Sequence, residues 1–355
     1  MPTTQDLPTS FVVNGLSIPA LGFGTFQGDS SNALVKQSVL KALQHGYRHI
    51  DTAAAYGNEK EVGEAIKESG VPRNELFITT KLSQTWHDPS DVEEALDRSL
   101  NALQLDYVDL YLMHFPHAYL AGPNHSTLRH PNGKTTNFQE HTLRLGPRWK
   151  DWWRKERPDL LVKDPFASRF KDQTSYDNNS KTGLSNFNIL KLKRILGIAN
   201  IRPAVNQVEL HPYLPQPNLL DFCAREGIHI TAHQPLGGRP VAAVNPNTDR
   251  AGPLLDSDIA EIASTYGKSP AQVLLSWAIQ RGTSVIPKTV REDRMVENRG
   301  VFRLSDEDVM NINGISGVKG AVRFLDPEGH IGFDIFDEEV DEPVTDDGIL
   351  KGDGE

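Results

Sequence analysis

The sequence is poor in cysteine, because its 355 residues contain only Cys223. A single cysteine excludes an internal disulfide and every zinc site that is built from several cysteines. Cys223 lies in the stretch LLDFCAREG, whose apolar spacing is typical of an amphipathic helix. We therefore expect a buried, unreactive thiol, and nothing in the sequence predicts a metal site.

Long apolar runs are also missing. No segment approaches the roughly 18 apolar residues of a membrane helix, and the start MPTTQDLPTS lacks the basic and apolar regions of a signal peptide. The sequence therefore predicts a cytoplasmic protein with no membrane partner.

Positive charge is not in excess, since 37 lysines and arginines face 47 aspartates and glutamates, for a net charge of −10. No basic patch of the kind that binds nucleic acid is present. Ten acidic residues and one lysine fall within 334–355, which predicts a solvated, mobile acidic tail there.

Short β-rich runs alternate with helical patterns along most of the chain, which favours repeated βα units and a parallel sheet. Eight such runs are present, the number of strands in a (β/α)₈ barrel. Before them, Asn14-Gly15 separates two apolar runs and predicts a β-hairpin that plugs the floor of the barrel. We therefore expect one α/β domain over 1–355, a TIM barrel with strands at 20–25, 47–53, 76–82, 108–114, 183–187, 203–210, 228–236 and 283–288.

Three helix starts carry capping signals: Ser90 with Glu93, Ser269 with Pro270, and Ser305 with Asp308. The range 134–183 instead lacks a periodic apolar segment, and prolines and charges interrupt its aromatic residues. The sequence predicts a long irregular insert there, between the fourth and fifth barrel strands.

Polar residues end several of the apolar runs. The carboxyl ends of barrel strands face one shared mouth, so these side chains should converge although they are far apart in the chain. They are Asp51, Lys81, His114, Ser185, Asn186, Gln207, Gln234 and Lys288.

Tyr56 could use either of two lysines. Lys60 lies four residues later, the Tyr-x-x-x-Lys spacing of short-chain dehydrogenases, whereas Lys81 ends the next strand. That enzyme class needs a GxGxxG motif after its first strand, and the glycines at 22, 24 and 28 do not fit it. The position of Lys81 at a strand end favours Lys81 as the partner.

Carbonyl reduction by a nicotinamide needs an acid near the carbonyl oxygen. A tyrosine is a poor acid at neutral pH unless a nearby ammonium lowers its pKa, and Lys81 can do this for Tyr56. A buried ammonium needs a carboxylate, for which Asp51 is the candidate. His114 ends an apolar strand and, as a neutral imidazole, can orient a substrate oxygen.

The segments HIDTAAAYGNEKEVGEAI, FITTKL and LYLMHFP resemble those of aldo-keto reductases, and so do SNF, NQVELHPY and IPKTVREDRMVEN further on. The similarity covers 11–118 and 184–325. It implies a reversible, NADPH-dependent reductase of small aldehydes, ketones or sugars. The catalytic tetrad would be Asp51, Tyr56, Lys81 and His114.

The same resemblance implies the cofactor contacts. Ser185, Asn186 and Gln207 would hold the nicotinamide carboxamide, and His233 stands where the family usually has a tyrosine that stacks on the nicotinamide. The remaining assignments are Lys288, Thr289 and Arg294 for the 2′-phosphate, Glu297 and Asn298 for the adenine, and Phe26, Trp86 and Phe115 for an apolar substrate pocket.

One departure from the family pattern leaves a second function open. The stretch SYDNNSKTGLSNF lacks the usual start of the fourth barrel helix. Loss of that helix would uncover one wall of the parallel sheet. The chain would then be a catalytically impaired NADP-binding or scaffold protein of the same fold, and a misplaced exon boundary would produce the same stretch.

Overall fold

The computed structural model describes residues 6–27, 32–88, 90–128, 182–197, 199, 202–238, 251–331 and 334–336. The predicted insert at 134–183 lies outside these residues except for its last two, and the predicted acidic tail lies outside them except for 334–336. Thr182 and Gly183 belong to a barrel strand, so the predicted end of the insert is wrong by two residues.

The predicted hairpin is present at the amino-terminal side of the barrel. Strands β1 (Ser10–Val13) and β2 (Leu16–Pro19) pair antiparallel. The residues between them, Asn14 and Gly15, have φ angles of 48° and 76°, the left-handed values that a two-residue hairpin turn requires. Ile18 of β2 packs with buried apolar residues of three barrel strands, as expected for a plug.

Eight parallel strands follow, each paired with the next, which confirms the predicted (β/α)₈ barrel. A parallel bridge between Leu21 and Val285 joins the first strand to the last and closes the sheet. The barrel strands are β3 (Phe23–Gly24), β4 (His49–Asp51), β5 (Phe77–Leu82), β6 (Leu110–Met113), β7 (Thr182–Ser185), β8 (Val205–Glu209), β9 (His229–His233) and β10 (Ser284–Val285).

Most of the described helices bury an apolar face in the main hydrophobic core, whereas the helix at Pro270–Gln280 is buried without interruption from Val273 to Ile279. The described helices are α1 (Ala33–Gln44), α2 (Glu59–Ser69), α3 (Val92–Leu103), α4 (Ile189–Leu196), α5 (Pro217–Arg225), α6 (Ser257–Tyr266), α7 (Pro270–Gln280), α8 (Glu292–Asn298), α9 (Asp306–Lys319) and α10 (Glu328–Ile331). Within the described ranges, no helix is long and apolar enough to cross a membrane.

Two of the three predicted helix caps are confirmed. Ser269 forms a capping box with Gln272 at the start of α7, and Ser305 accepts a hydrogen bond from the Asp308 amide at the start of α9. The prediction for Ser90 is wrong. Helix α3 has Asp91 at its N-cap position, and the Ser90 hydroxyl donates to the Asp88 carboxylate at 2.7 Å instead.

Two buried histidines near the floor of the barrel predict acid sensitivity. Burial lowers the pKa of His49 and of His229 to about 4. His229 Nε2 accepts a hydrogen bond from the Ser284 amide at 3.3 Å, which a proton on that nitrogen would break. The unfolded chain binds these protons below about pH 6.5 whereas the native chain does not, so stability falls as the pH drops from 6.5 towards 4.

We expect each histidine to cost the protein roughly 2 kcal/mol of unfolding free energy between pH 7 and pH 5. Urea unfolding at both pH values measures this loss. His229→Gln keeps an acceptor beside the Ser284 amide but cannot be protonated there. The variant should therefore lose less unfolding free energy between pH 7 and pH 5 than the unaltered chain. An unchanged loss in the variant would show that His229 is not responsible.

Candidate active site

Three strand ends and one turn place four polar side chains at the mouth of the barrel. Asp51 is the last residue of β4, Lys81 is the penultimate residue of β5, and His114 directly follows β6. Tyr56 ends a short 3₁₀ turn, Ala54–Tyr56, between β4 and α2. Because neighbouring strands pair in parallel, their carboxyl ends lie at the same end of the barrel.

The ammonium group of Lys81 is fully buried and has three acceptors. Its Nζ lies 2.5 Å from Asp51 Oδ1, 2.8 Å from the main-chain oxygen of Thr52 and 3.4 Å from the Tyr56 hydroxyl. An ammonium has three hydrogens, so these contacts use them all. Lys60 is exposed, and the structure pairs Tyr56 with Lys81.

Asp51 stabilises the charged form of this lysine. Burial lowers the pKa of Lys81, but the charge and hydrogen bond of Asp51, helped by Tyr56, outweigh burial and raise it above its ordinary value. Lys81 is therefore an ammonium at neutral pH. The second oxygen of Asp51 accepts a hydrogen bond from Gln207 Nε2 at 2.6 Å.

The Tyr56 phenol differs in one respect from the expectation. Burial raises its pKa, whereas the ammonium of Lys81 lowers it as predicted, and the net pKa lies above the ordinary value of 10.0. The effect of burial on the pKa is the larger one, because a phenolate at this buried position loses its solvation by water. The phenol therefore holds its proton at neutral pH.

His114 lies beside this phenol as a neutral ring. The two ring centroids are 5.5 Å apart with planes at 72°. Burial, with the nearby ammonium of Lys81, lowers the pKa of His114 well below its ordinary value. Its Nδ1 is buried and has no hydrogen-bond partner among the described residues.

The predicted carboxamide contacts form one polar cluster next to the tetrad. The Ser185 hydroxyl donates to the main-chain oxygen of Gln207 at 2.9 Å. The Asn186 amide donates to the main-chain oxygen of His114 at 2.9 Å and to the Ser185 hydroxyl at 3.1 Å. His233 lies 2.9 Å from the Asn186 amide oxygen. Gln207 connects this cluster to Asp51, which the sequence did not reveal.

The predicted adenosine contacts lie after β10, and no described hydrogen bond joins them to the tetrad. Lys288 and Arg294 are exposed cations that form no ion pair with any described residue, whereas Arg291 between them pairs with Asp293. Thr289 and Asn298 are buried. The Glu297 carboxylate accepts a hydrogen bond from Ser269 at 2.5 Å.

Two of the three predicted pocket aromatics adjoin the tetrad. Phe26 contacts the Tyr56 ring edge to face, with centroids 5.0 Å apart, and Phe115 lies 5.1 Å from the His114 ring. The Trp86 ring stacks on the His125 ring instead, with the two ring centroids 3.5 Å apart. His125 was not predicted, because no motif in the sequence connects it to Trp86.

A family comparison decides between the enzyme classes considered above. Residues 20–316 match the model of the Aldo/keto reductase family. The chain belongs to this family. The short-chain dehydrogenase alternative is therefore wrong, in agreement with the Tyr56–Lys81 pairing.

Named relatives extend the match over most of the chain. Glycerol 2-dehydrogenase (NADP(+)) of Saccharomyces cerevisiae is 43% identical over 88% of this chain and 92% of its own length. Aldehyde reductase YPR1 of the same yeast is 40% identical over 88% of this chain and 92% of its length. The solved aldose reductase of Schistosoma japonicum has a TM-score of 0.76 and 31% identity, covering 94% of this chain and 99% of that one.

Proposed function

We propose that this aldo-keto reductase converts small aldehydes, ketones or sugars to alcohols with NADPH, and that Tyr56 is the proton donor. One observation carries the proposal: the Tyr56 hydroxyl lies 3.4 Å from a buried ammonium that a carboxylate holds in its charged form. Such an arrangement supports a phenol that gives up and regains a proton near a reacting oxygen.

NADP dependence, predicted from the sequence, agrees with the family and with the similarity to the yeast glycerol 2-dehydrogenase (NADP(+)). The residues present fit that cofactor. Lys288 and Arg294 are two cations that no described acidic residue pairs with, so they are available to a phosphate. Three side-chain oxygens each keep a lone pair that no described residue uses, which suits a carboxamide N–H; they are Asn186 Oδ1, Ser185 Oγ and Gln207 Oε1.

When bound, the cofactor supplies the hydride that attacks the carbonyl carbon. The developing charge on the substrate oxygen needs donors, and the Tyr56 phenol holds a proton at neutral pH for this purpose. Loss of that proton leaves a phenolate beside Lys81, where the ammonium stabilises it. Phe26 and Phe115 exclude water on the apolar sides of the same space.

His114 is proposed to orient the substrate oxygen. A neutral imidazole can donate one N–H without adding charge, and its depressed pKa keeps it neutral over the physiological range. Alcohol oxidation would use the same groups in reverse, with the Tyr56 phenolate accepting the hydroxyl proton.

The second candidate, an impaired NADP-binding or scaffold protein, depends on the predicted insert, most of which lies outside the described residues. NADPH consumption by the purified chain, assayed with a panel of aldehydes, ketones and sugars, separates the two. Turnover of at least one carbonyl compound supports the enzyme. Binding of NADPH without turnover of any compound supports the scaffold.

Arg294→Ala is expected to weaken binding of NADPH while leaving NADH nearly unaffected. Arg294 is an exposed cation without a described acidic partner, and its proposed role is the 2′-phosphate that NADH lacks. We expect the KM for NADPH to rise about tenfold, the effect of losing one charge-assisted hydrogen bond. Arg291→Ala is the matched control, since Arg291 already pairs with Asp293. Equal rises for NADPH and NADH would contradict phosphate recognition.

A further inference from the structure

The imidazole of His233 forms a hydrogen bond with Asn186, which lies at the end of a different strand. Its Nε2 lies 2.9 Å from Oδ1 of Asn186. His233 ends β9 and Asn186 follows β7, two strands that β8 separates in the sheet. Asn186 has a φ of 66°, a left-handed value that few side chains adopt, so its backbone is held in an unusual conformation at this point.

One main-chain carbonyl fixes the donors and acceptors of this contact. The oxygen of His114 only accepts, so the Asn186 amide atom at 2.9 Å from it is Nδ2. The Oδ1 atom then faces His233 and also only accepts, so Nε2 of His233 carries the hydrogen. Burial lowers the pKa of His233 to about 4, so the ring is neutral at physiological pH.

The same chain of bonds accounts for every hydrogen of the Asn186 amide. One goes to the His114 carbonyl and the other to the Ser185 hydroxyl, which itself donates to the main-chain oxygen of Gln207. Both Ser185 and Asn186 therefore present acceptors to a ligand. Among the residues that the structure describes, only His233 binds the amide on its oxygen side.

We propose that His233 is a positioning residue for the cofactor and acts through its hydrogen bond to Asn186. The bond holds the amide in one orientation and leaves Oδ1 one lone pair for a carboxamide N–H. This role rests on the proposed function, in which Asn186 binds the nicotinamide carboxamide. It differs from the role that the resemblance implies for this position, which is aromatic stacking.

Two variants separate the hydrogen bond from the ring. His233→Gln keeps an N–H donor near the position of Nε2 and removes the ring, whereas His233→Phe keeps a ring and removes the donor. Titration of each purified variant with NADP⁺, without substrate, gives the Kd. We expect His233→Gln to stay within about twofold of the unaltered chain and His233→Phe to bind about tenfold more weakly, as for a lost hydrogen bond.

Weaker NADP⁺ binding by His233→Gln than by His233→Phe, or an equal loss of affinity in both variants, would overturn the role of the hydrogen bond. Thermal melting of both variants checks that they are folded. Nitrogen NMR of ¹⁵N-histidine in the cofactor-free chain provides an independent reading: the His233 signals should show a protonated Nε2 and a bare Nδ1, and the opposite tautomer would contradict the proposal. A chain that binds no NADP⁺ refutes the proposed function as well, whereas a reversed variant order refutes only the role of His233.

Discussion

Tyr56→Phe is expected to lower kcat by about a hundredfold to ten-thousandfold, the contribution of a positioned general acid. The substitution removes only the hydroxyl that lies 3.4 Å from Lys81 Nζ. The aromatic ring remains, so its edge-to-face contact with Phe26 and its packing beside His114 are kept. Stopped-flow and steady-state assays of NADPH consumption, with any carbonyl compound that the unaltered chain reduces, measure the loss.

Cofactor binding should barely change in the same variant, because the groups proposed to bind NADP lie at the ends of other strands or in the segment after β10. Lys60→Ala is the matched control for the choice of lysine. Lys60 is exposed and lies four residues from Tyr56, so its removal should leave kcat unchanged. A Tyr56→Phe enzyme with most of its activity, or a Lys60→Ala enzyme with little, would contradict the assigned pairing.

Lys81→Met should lower both activity and stability. The substitution fills a similar volume but leaves the buried Asp51 carboxylate without its cation, and breaking a buried ion pair in this way costs about 3–5 kcal/mol. The phenolate formed at Tyr56 would also lose its stabilising ammonium. Urea unfolding measures the stability loss, and NADPH consumption measures the activity loss.

A second substitution separates these two effects. Asp51→Asn in the Lys81→Met background removes the unpaired charge and still offers an oxygen to Gln207 Nε2, which donates to Asp51 at 2.6 Å in the unaltered chain. We expect the double variant to regain most of the lost stability, because neutral replacement of a buried pair is often tolerated. Its activity should stay low. Recovery of activity together with stability would show that Lys81 acts only on folding.

Much of the fold could be predicted because barrel strands leave strong local signals. All eight predicted strands are present, although each is shorter than the apolar run that predicted it. The run at 228–236 ends as a strand at His233 because Gln234 turns to a φ of 49°. The last strand stops at Val285, and Pro287, which lacks an amide hydrogen, contributes only its carbonyl to Gly24.

The tetrad could be predicted because each member lies at a strand end or in a motif, and strand ends converge in any barrel. Contacts that depend on side-chain direction could not. Trp86 carries no signal that it would stack on His125, which is far away in the chain. Ser90 and Asp91 are both good N-cap residues, and the choice between them depends on where the backbone turns into α3.

The Tyr56 phenol shows a similar limit in its energetics. The sequence predicts a lysine that lowers its pKa, and this contribution is present. Burial acts in the opposite direction and is larger, but its size depends on how completely neighbouring elements cover the phenol. A sequence does not contain that quantity.

The central claim is that barrel closure brings the Tyr56 hydroxyl to Lys81 in the cofactor site. A crystal structure of the chain with NADP⁺ measures this directly. We predict that the hydroxyl remains within hydrogen-bond reach of Lys81 Nζ, near the present 3.4 Å, and faces the nicotinamide ring. A phenol turned towards Lys60 or solvent, or a nicotinamide bound away from Tyr56, would contradict the proposed mechanism.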